Sequence, residues 1–250
     1  MNKLIAANWK MYKTIGEAAD TVRDLTRLAG ELPAGREVLI FPPFTAIAAV
    51  SAALGVRPGY FVGGQDVYVK AEGAFTGEIS PGMLKDAGCD YALTGHSERR
   101  HVLGESDELV GEKTLFALQS GLRVVLCIGE KLDEREAGKL EAVLKRQLTA
   151  GLKGLPADTP AGKITIAYEP VWAIGTGKVA GPAEIKEAHA LVRKLLTSLV
   201  PGLAKDMRIL YGGSVKADNA KEILAIDNVN GLLVGGASLQ AAVFKDIILA

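Results

Sequence analysis

LRVVLCIG (residues 122–129) is followed by a segment, 133–150, that places Ala137, Leu140, Leu144 and Leu148 on one stripe. The first stretch is short, apolar and rich in β-branched residues, and it ends in glycine. That reads as a strand buried on both faces. The second has the spacing of an amphipathic helix. Strand then helix is one unit, and the unit recurs outward in both directions. Strand-like runs lie at LIAANW (4–9), VLIF (38–41), YFVGGQDV (60–67), DYALTG (90–95), ITIAYEP (164–170), RILYGG (208–213) and GLLVGG (231–236).

Helix-length segments fill the intervals at 14–29, 45–54, 81–88, 106–120, 182–200, 216–226 and 238–249. Thr14 and Glu17 have capping-box spacing. Ser106 precedes two acids, as suits a helix start, and Pro182 stands where proline is favoured at a first helical position. Alternation on this scale calls for a parallel sheet, and eight units call for an α/β fold of the closed (β/α)8 barrel type. An open doubly wound sheet would want a G-x-G-x-x-G turn after the first strand; residues 9–14, WKMYKT, contain no glycine. No break in composition divides the chain, so residues 1–250 are expected to form one domain.

The bulk numbers exclude several classes. Lys plus Arg is 29 and Asp plus Glu is 29, a net charge of zero. Nucleic-acid and membrane-surface partners generally call for a basic excess, so neither is expected. Two cysteines, Cys89 and Cys127, cannot make a disulfide framework and read as reduced thiols. Residues 1–13 lack a secretory layout, and the apolar stretch 44–56 is too short for a membrane span of ~20 residues. A cytoplasmic protein is expected. Glycine is abundant, 29 of 250 residues, against a usual share of roughly 7%. Many of these glycines stand where the strand-like runs end.

Residues 66–80, DVYVKAEGAFTGEIS, show no helical period. A loop of that length in a compact domain is usually functional or interfacial. With Phe75 between Gly73 and Gly77, it reads as an arm docking on a second copy of the chain.

In barrels of this class the active site lies where the strands end. Polar residues collect there: Asn8, Lys10, His96, Glu98, Cys127, Glu130 and Glu169. Gly212-Gly213-Ser214 and Gly235-Gly236 follow the last two strands, where close backbone approach and helix starts make a phosphate cradle. Glu169 precedes Pro170, Val171, Trp172, Ala173, Ile174, Gly175, Thr176, Gly177 and Lys178, a segment with apolar residues in the middle and glycines at one end. It has the composition of a lid that excludes water. A carboxylate under such a lid is expected to be desolvated and strengthened as a base. His96 opens a helix, which favours a neutral imidazole able to donate a hydrogen bond. Lys10 supplies one positive charge for an anionic substrate and a developing oxyanion. Three scattered histidines and two distant cysteines give no metal spacing, so no metal or cofactor is expected.

ANWKM (7–11), GAFTGEIS (73–80), GHSERR (95–100), LCIGE (126–130), YEPVWAIGTGK (168–178), YGGS (211–214) and LVGGASL (233–239) resemble the triosephosphate isomerases, in that family's order and along the whole chain. The resemblance implies a barrel enzyme, usually dimeric. It would interconvert dihydroxyacetone phosphate and glyceraldehyde 3-phosphate. It implies Glu169 as the base that shuttles a proton, His96 as the neutral electrophile and Lys10 as the electrostatic residue, with Asn8 contacting substrate. Gly175, Ser214, Gly235 and Gly236 would bind phosphate. Ile174 and Leu233 would clamp the base, Glu98 would pair with Lys10, and Cys127 would pack near the base. Thr76 would reach a neighbouring subunit's site.

Four positions depart from the family pattern: Asn230 in place of Asp, Gly181 in place of the usual Thr before proline, Asp66 in place of Asn, and Thr94 in place of an aliphatic residue. None removes a group from the chemistry. Another phosphate-binding barrel, such as an epimerase or a synthase, would share the glycine loops but has no need of the lid. A silent binding scaffold would be expected to lack Glu169, His96 or Lys10.

Overall fold

The computed structural model describes residues 2–174 and 178–250. Among them, eight strands close into a parallel barrel in chain order: β1 (Lys3–Asn8), β2 (Arg36–Phe41), β3 (Tyr60–Gly64), β4 (Tyr91–Thr94), β5 (Arg123–Ile128), β6 (Ile164–Tyr168), β7 (Arg208–Tyr211) and β8 (Gly231–Val234). β8 returns to β1, with Leu4 opposite Gly231 and Ala7 opposite Val234. The connecting helices are α1 (Ile15–Ala29), α2 (Ile47–Leu54), α3 (Pro81–Asp86), α4 (Ser97–His101), α5 (Asp107–Gln119), α6 (Leu132–Glu136), α7 (Leu140–Gly151), α8 (Pro182–Leu199), α9 (Ala220–Ala225) and α10 (Ala241–Leu249).

The continuous apolar runs are explained by two cores. Side chains alternate along each strand. Leu4, Ala6, Leu39, Phe41, Leu93, Val125 and Leu210 fill the barrel interior. Ile5, Ala7, Val38, Ile40, Val124, Leu126 and Ile209 face the helices. Both faces are dry, so period-two polarity never shows in the sequence.

Local signals set several helix ends. Glu17 accepts the Thr14 N–H at 2.8 Å. Ser80 and Ser106 accept the backbone N–H groups of Met83 and Leu109, opening α3 and α5. Pro182 begins α8, with Gly181 as a cap residue that offers no side chain.

The helix expected over 133–150 is two. Gly138 takes φ 68° between α6 and α7, and Ala137 is exposed rather than part of the buried stripe. The segment 216–226 is helical only in α9, because Asn219 Oδ1 accepts the Lys216 N–H at 2.8 Å and holds a turn first. After β8 the chain makes a 3-10 turn, Gly236–Leu239, before α10. The strands end one to three residues before several of the apolar runs do, and the residues beyond the ladder, among them Glu169, Gly212 and Gly235, turn over the barrel mouth.

Residues 66–80 form neither strand nor helix until the cap of α3. The arm is partly packed on itself, since the Phe75 ring lies 4.8 Å from that of Tyr68 and Ile79 O accepts the Tyr68 N–H at 2.8 Å.

Candidate active site

One cavity of about 380 Å³ opens at the C-terminal ends of the strands. It is lined by Asn8, Lys10, His96, Glu169, Ile174, Ser214, Leu233, Gly235 and Gly236 among others. Elements far apart in sequence bring these groups together. Lys10 lies two residues past β1, His96 two past β4, and Glu169 one past β6.

Glu169 is 2% exposed. One carboxylate oxygen lies 3.0 Å from His96 Nε2, and the other accepts the Ser97 N–H at 3.1 Å. The backbone around it is tightly shaped. A Cβ on Gly129 would sit 1.7 Å from Glu169 O, and one on Gly212 would sit 2.9 Å from Glu169 Cγ. A side chain at 129 would collide with the Glu169 backbone, and one at 212 with the Glu169 side chain.

His96 is the cap residue of α4, and its Nδ1 accepts the Glu98 N–H at 3.2 Å. An imidazole that accepts at Nδ1 carries its proton on Nε2 and aims it at Glu169. Lys10 adopts φ 52°, a left-handed conformation unfavourable for a lysine. The strain is held by three bonds. Asn8 Oδ1 accepts the Lys10 N–H at 3.0 Å, Gln65 Nε2 donates to the Lys10 carbonyl at 2.8 Å, and Lys10 Nζ meets Glu98 Oε1 at 2.6 Å.

The electrostatics of the pair correct one expectation. Burial alone would raise the Glu169 pKa, but the charge and hydrogen bond of His96, the Ser97 N–H and the Cys127 thiol outweigh it. The net direction is downward. In this geometry Glu169 is a stabilised carboxylate rather than a strengthened base. Burial conversely pushes His96 towards neutrality, and Glu169 overrides that and holds it above the ordinary histidine value. Cys127 is fully buried, and burial followed by the neighbouring Glu169 charge keeps it a thiol.

The start of the candidate lid is anchored. Val171–Ala173 forms a 3-10 turn, the Val171 N–H donates to Glu130 O at 3.1 Å, and Trp172 Nε1 donates to Glu130 Oε1 at 2.8 Å. Ile174 lines the cavity; Gly175, Thr176 and Gly177 lie outside the described residues. In the turn after β8, the space a Cβ would take at Gly236 is open, and at Gly235 the nearest atom is Lys10 Cε at 3.7 Å. Backbone at these two positions therefore faces the cavity without obstruction.

The model of the family described as Triosephosphate isomerase matches residues 3–250. The chain belongs to the triosephosphate isomerase family. It is 64% identical to the triosephosphate isomerase of Nitratidesulfovibrio vulgaris (strain DSM 19637 / Miyazaki F) with all of both chains covered. It is 60% identical to that of Oleidesulfovibrio alaskensis over the same full coverage. It is 47% identical to that of Aquifex aeolicus, with 99% of each chain covered.

Most of the described candidate residues line the cavity; Pro170, Val171, Trp172, Lys178, Glu98, Cys127 and Thr76 do not. Glu98 stands behind Lys10 as its ion-pair partner. Cys127 lies beneath Glu169, and Thr76 is exposed on the arm. Several contributors escaped the sequence reading. Gln65 grips Lys10 from 55 residues away. Arg100 donates to the carbonyls of Gly95 at 2.7 Å and Cys127 at 3.2 Å, tying the ends of β4 and β5. Lys216 lines the cavity beside Ser214. Glu130, noted only as a strand-end acid, accepts from Trp172 Nε1 and Tyr168 Oη. Arg100 had a faint signal, lying in GHSERR four residues after His96; Lys216 had none.

Two departures from the family pattern have clear consequences. Asn230 Oδ1 accepts from Arg193 Nη2 at 3.0 Å and from the Ile209 N–H at 3.1 Å, so a link to Arg193 persists at the start of β8 as hydrogen bonds to an uncharged amide. Thr94 Oγ1 meets Thr114 Oγ1 at 2.9 Å, a buried hydroxyl pair fastening β4 to α5.

Among the described residues, no group of three or more His, Cys, Asp or Glu could hold a metal ion. None of the described helices is long and apolar enough to cross a membrane.

Proposed function

We propose that the chain interconverts dihydroxyacetone phosphate and D-glyceraldehyde 3-phosphate, as a step of glycolysis and gluconeogenesis. The observation that carries the reading is one cavity lined by Glu169 and His96 side by side, by Lys10, and by the turns after β7 and β8. Glu169 takes a proton from the carbon beside the substrate carbonyl. The electron pair moves onto the carbonyl oxygen and gives an enediolate, which the His96 Nε2–H and Lys10 ammonium stabilise. Returning the proton to the neighbouring carbon completes the isomerisation. The proton balance closes without a cofactor.

The downward shift of Glu169 arises from its contacts with His96 and Ser97. A substrate seated between Glu169 and His96 would break those contacts. Burial would then dominate, raising Glu169 as a base and favouring the neutral form of His96. Gly175, Ser214, Gly235 and Gly236 bind the phosphate in this reading. The lid, Pro170 to Lys178, closes with Ile174 and Leu233 against the base and keeps water from the enediolate. Binding energy from the phosphate drives the closure.

The whole chain, residues 1–250, acts as one domain in the cytoplasm. It pairs with a second copy through residues 66–80, and Thr76 contributes to the neighbouring site. Exposed apolar side chains on and just beyond the arm, Phe75 at 37% and Met83 at 56%, support that pairing. Asp in place of Phe75 should raise the monomer fraction in mass measurements; an unchanged oligomer would remove the arm from the interface.

The activity is tested by a coupled assay starting from glyceraldehyde 3-phosphate, with and without 2-phosphoglycolate. Inhibitable turnover is expected. Absence of turnover would reject the isomerase reading and leave the cavity to another phosphate ester.

A further inference from the structure

Asp66, the departure in the arm's first residue, is 4% exposed and belongs to a closed ring of charges. Lys113 Nζ, on a residue 2% exposed, lies 2.9 and 2.8 Å from its two carboxylate oxygens. Arg99 Nη2 lies 2.9 Å from Oδ2. The same two cations also meet Glu105, Arg99 Nε at 2.7 Å and Lys113 Nζ at 2.5 Å. Two carboxylates and two cations therefore neutralise one another, three of the side chains buried and that of Arg99 partly exposed. With asparagine at 66, Lys113 and Arg99 would share Glu105 alone, leaving one uncompensated positive charge in a poorly solvated place.

The ring touches no substrate-facing atom, but both of its sequence neighbours do the work of holding Lys10. Gln65 precedes Asp66 and donates to the carbonyls of Lys10 and Phe41 at 2.8 and 3.0 Å. Glu98 precedes Arg99 and takes the Lys10 ammonium at 2.6 Å. Lys10 itself has φ 52° and would relax from it without support. The ring is fixed to the barrel by α5, which carries Lys113 and, one residue on, the Thr114 hydroxyl bonded to Thr94.

We propose that the Asp66 carboxylate is a positioning residue: by fixing Arg99 and the turn at Gln65, it holds the two groups that keep Lys10 aimed into the cavity. This deepens the isomerase reading and rests on it. The role belongs to the ionised side chain, because an amide can neither balance Lys113 nor accept from both cations with equal strength.

The test is a binding cycle with 2-phosphoglycolate as the probe, in the full-length protein. Asp66→Asn is expected to weaken binding by about tenfold in the wild-type background, and by less than about twofold when Lys10 is already Met. In steady state it should raise KM more than it lowers kcat. Arg99→Lys, which keeps the charge count but cannot span both carboxylates, should give the same pattern, and it replaces Asp66→Asn if that variant fails to fold. Equal losses in the two backgrounds, or a lowered melting temperature with unchanged affinity, would make the ring purely structural and overturn the proposal. If the wild-type protein neither binds the probe nor isomerises the triose phosphate, the isomerase reading falls first and the proposal with it.

Discussion

The two mouths of the barrel both gather charged residues, and they use them in opposite ways. At the N-terminal ends of the strands, Arg208 on β7 bonds Glu37 on β2 and donates to Tyr91 Oη on β4 at 3.2 Å. Arg123 on β5 donates to the same hydroxyl at 3.1 Å and stacks 4.2 Å from the Phe61 ring centroid. Arg208, Glu37 and Arg123 are each turned towards another protein group. At the C-terminal ends, Lys10, His96 and Glu169 line open space, Lys10 is strained, and glycines leave backbone unobstructed. Closed networks mark stability and open ones mark chemistry, the division expected of this architecture.

The sharpest way to test that division is at the open end. His96→Gln should lower kcat by about 100- to 1,000-fold, because a preorganised donor to the enediolate oxygen is lost. Phosphate-ester affinity should change far less. A variant that binds poorly yet turns over normally would contradict the assignment. Glu169→Asp should cost about 100-fold in turnover, since the shorter arm misplaces the base by roughly 1 Å. Its melting temperature should stay near wild type, so a kinetic assay paired with thermal unfolding separates the two effects.

At the closed end the expectation inverts. Arg208→Met leaves Glu37 and Tyr91 short of a partner and should destabilise by about 2 kcal/mol, while kcat/KM stays within about twofold. Denaturant titration and steady-state kinetics on the same preparation decide it. A large kinetic loss with normal stability would mean that the two mouths communicate.

An effect invisible at neutral pH concerns a titrating group that faces no cavity. His189, on α8, packs its ring against Tyr168 and Tyr211, and burial lowers its pKa from 6.5 to about 4. The fold thus favours the neutral ring, whereas the unfolded chain takes up a proton near pH 6.5. Its contribution is complete above about pH 6.5 and is lost progressively as pH falls towards 4. Unfolding midpoints measured across that window should decline, and the decline should shrink in His189→Asn. An unchanged slope would place the acid sensitivity elsewhere.

The difference between the mouths also explains what could be read from sequence. The barrel was legible because each strand is apolar on both faces and each is followed by a helix-length segment. Glu169 was legible as a residue of the mouth because it directly follows the apolar run that forms β6. The breaks at Gly138 and Asn219 were not, since helix periodicity runs through a single left-handed glycine or an Asx-type turn without interruption. Gln65 and the Asp66 ring were equally hidden. Gln65 reaches Lys10 across 55 residues and Lys113 reaches Asp66 across 47. No local pattern encodes such distances; they exist only once the barrel closes.

The central claim, proton transfer at the carbon beside the carbonyl by Glu169, is tested most directly by running the isomerisation in deuterium oxide and reading the product by proton NMR. Deuterium should enter at that carbon, and both isomerisation and uptake should fall together in Glu169→Asp. Product formed at a wild-type rate with no solvent deuterium would indicate direct hydrogen transfer between the two carbons and contradict the account.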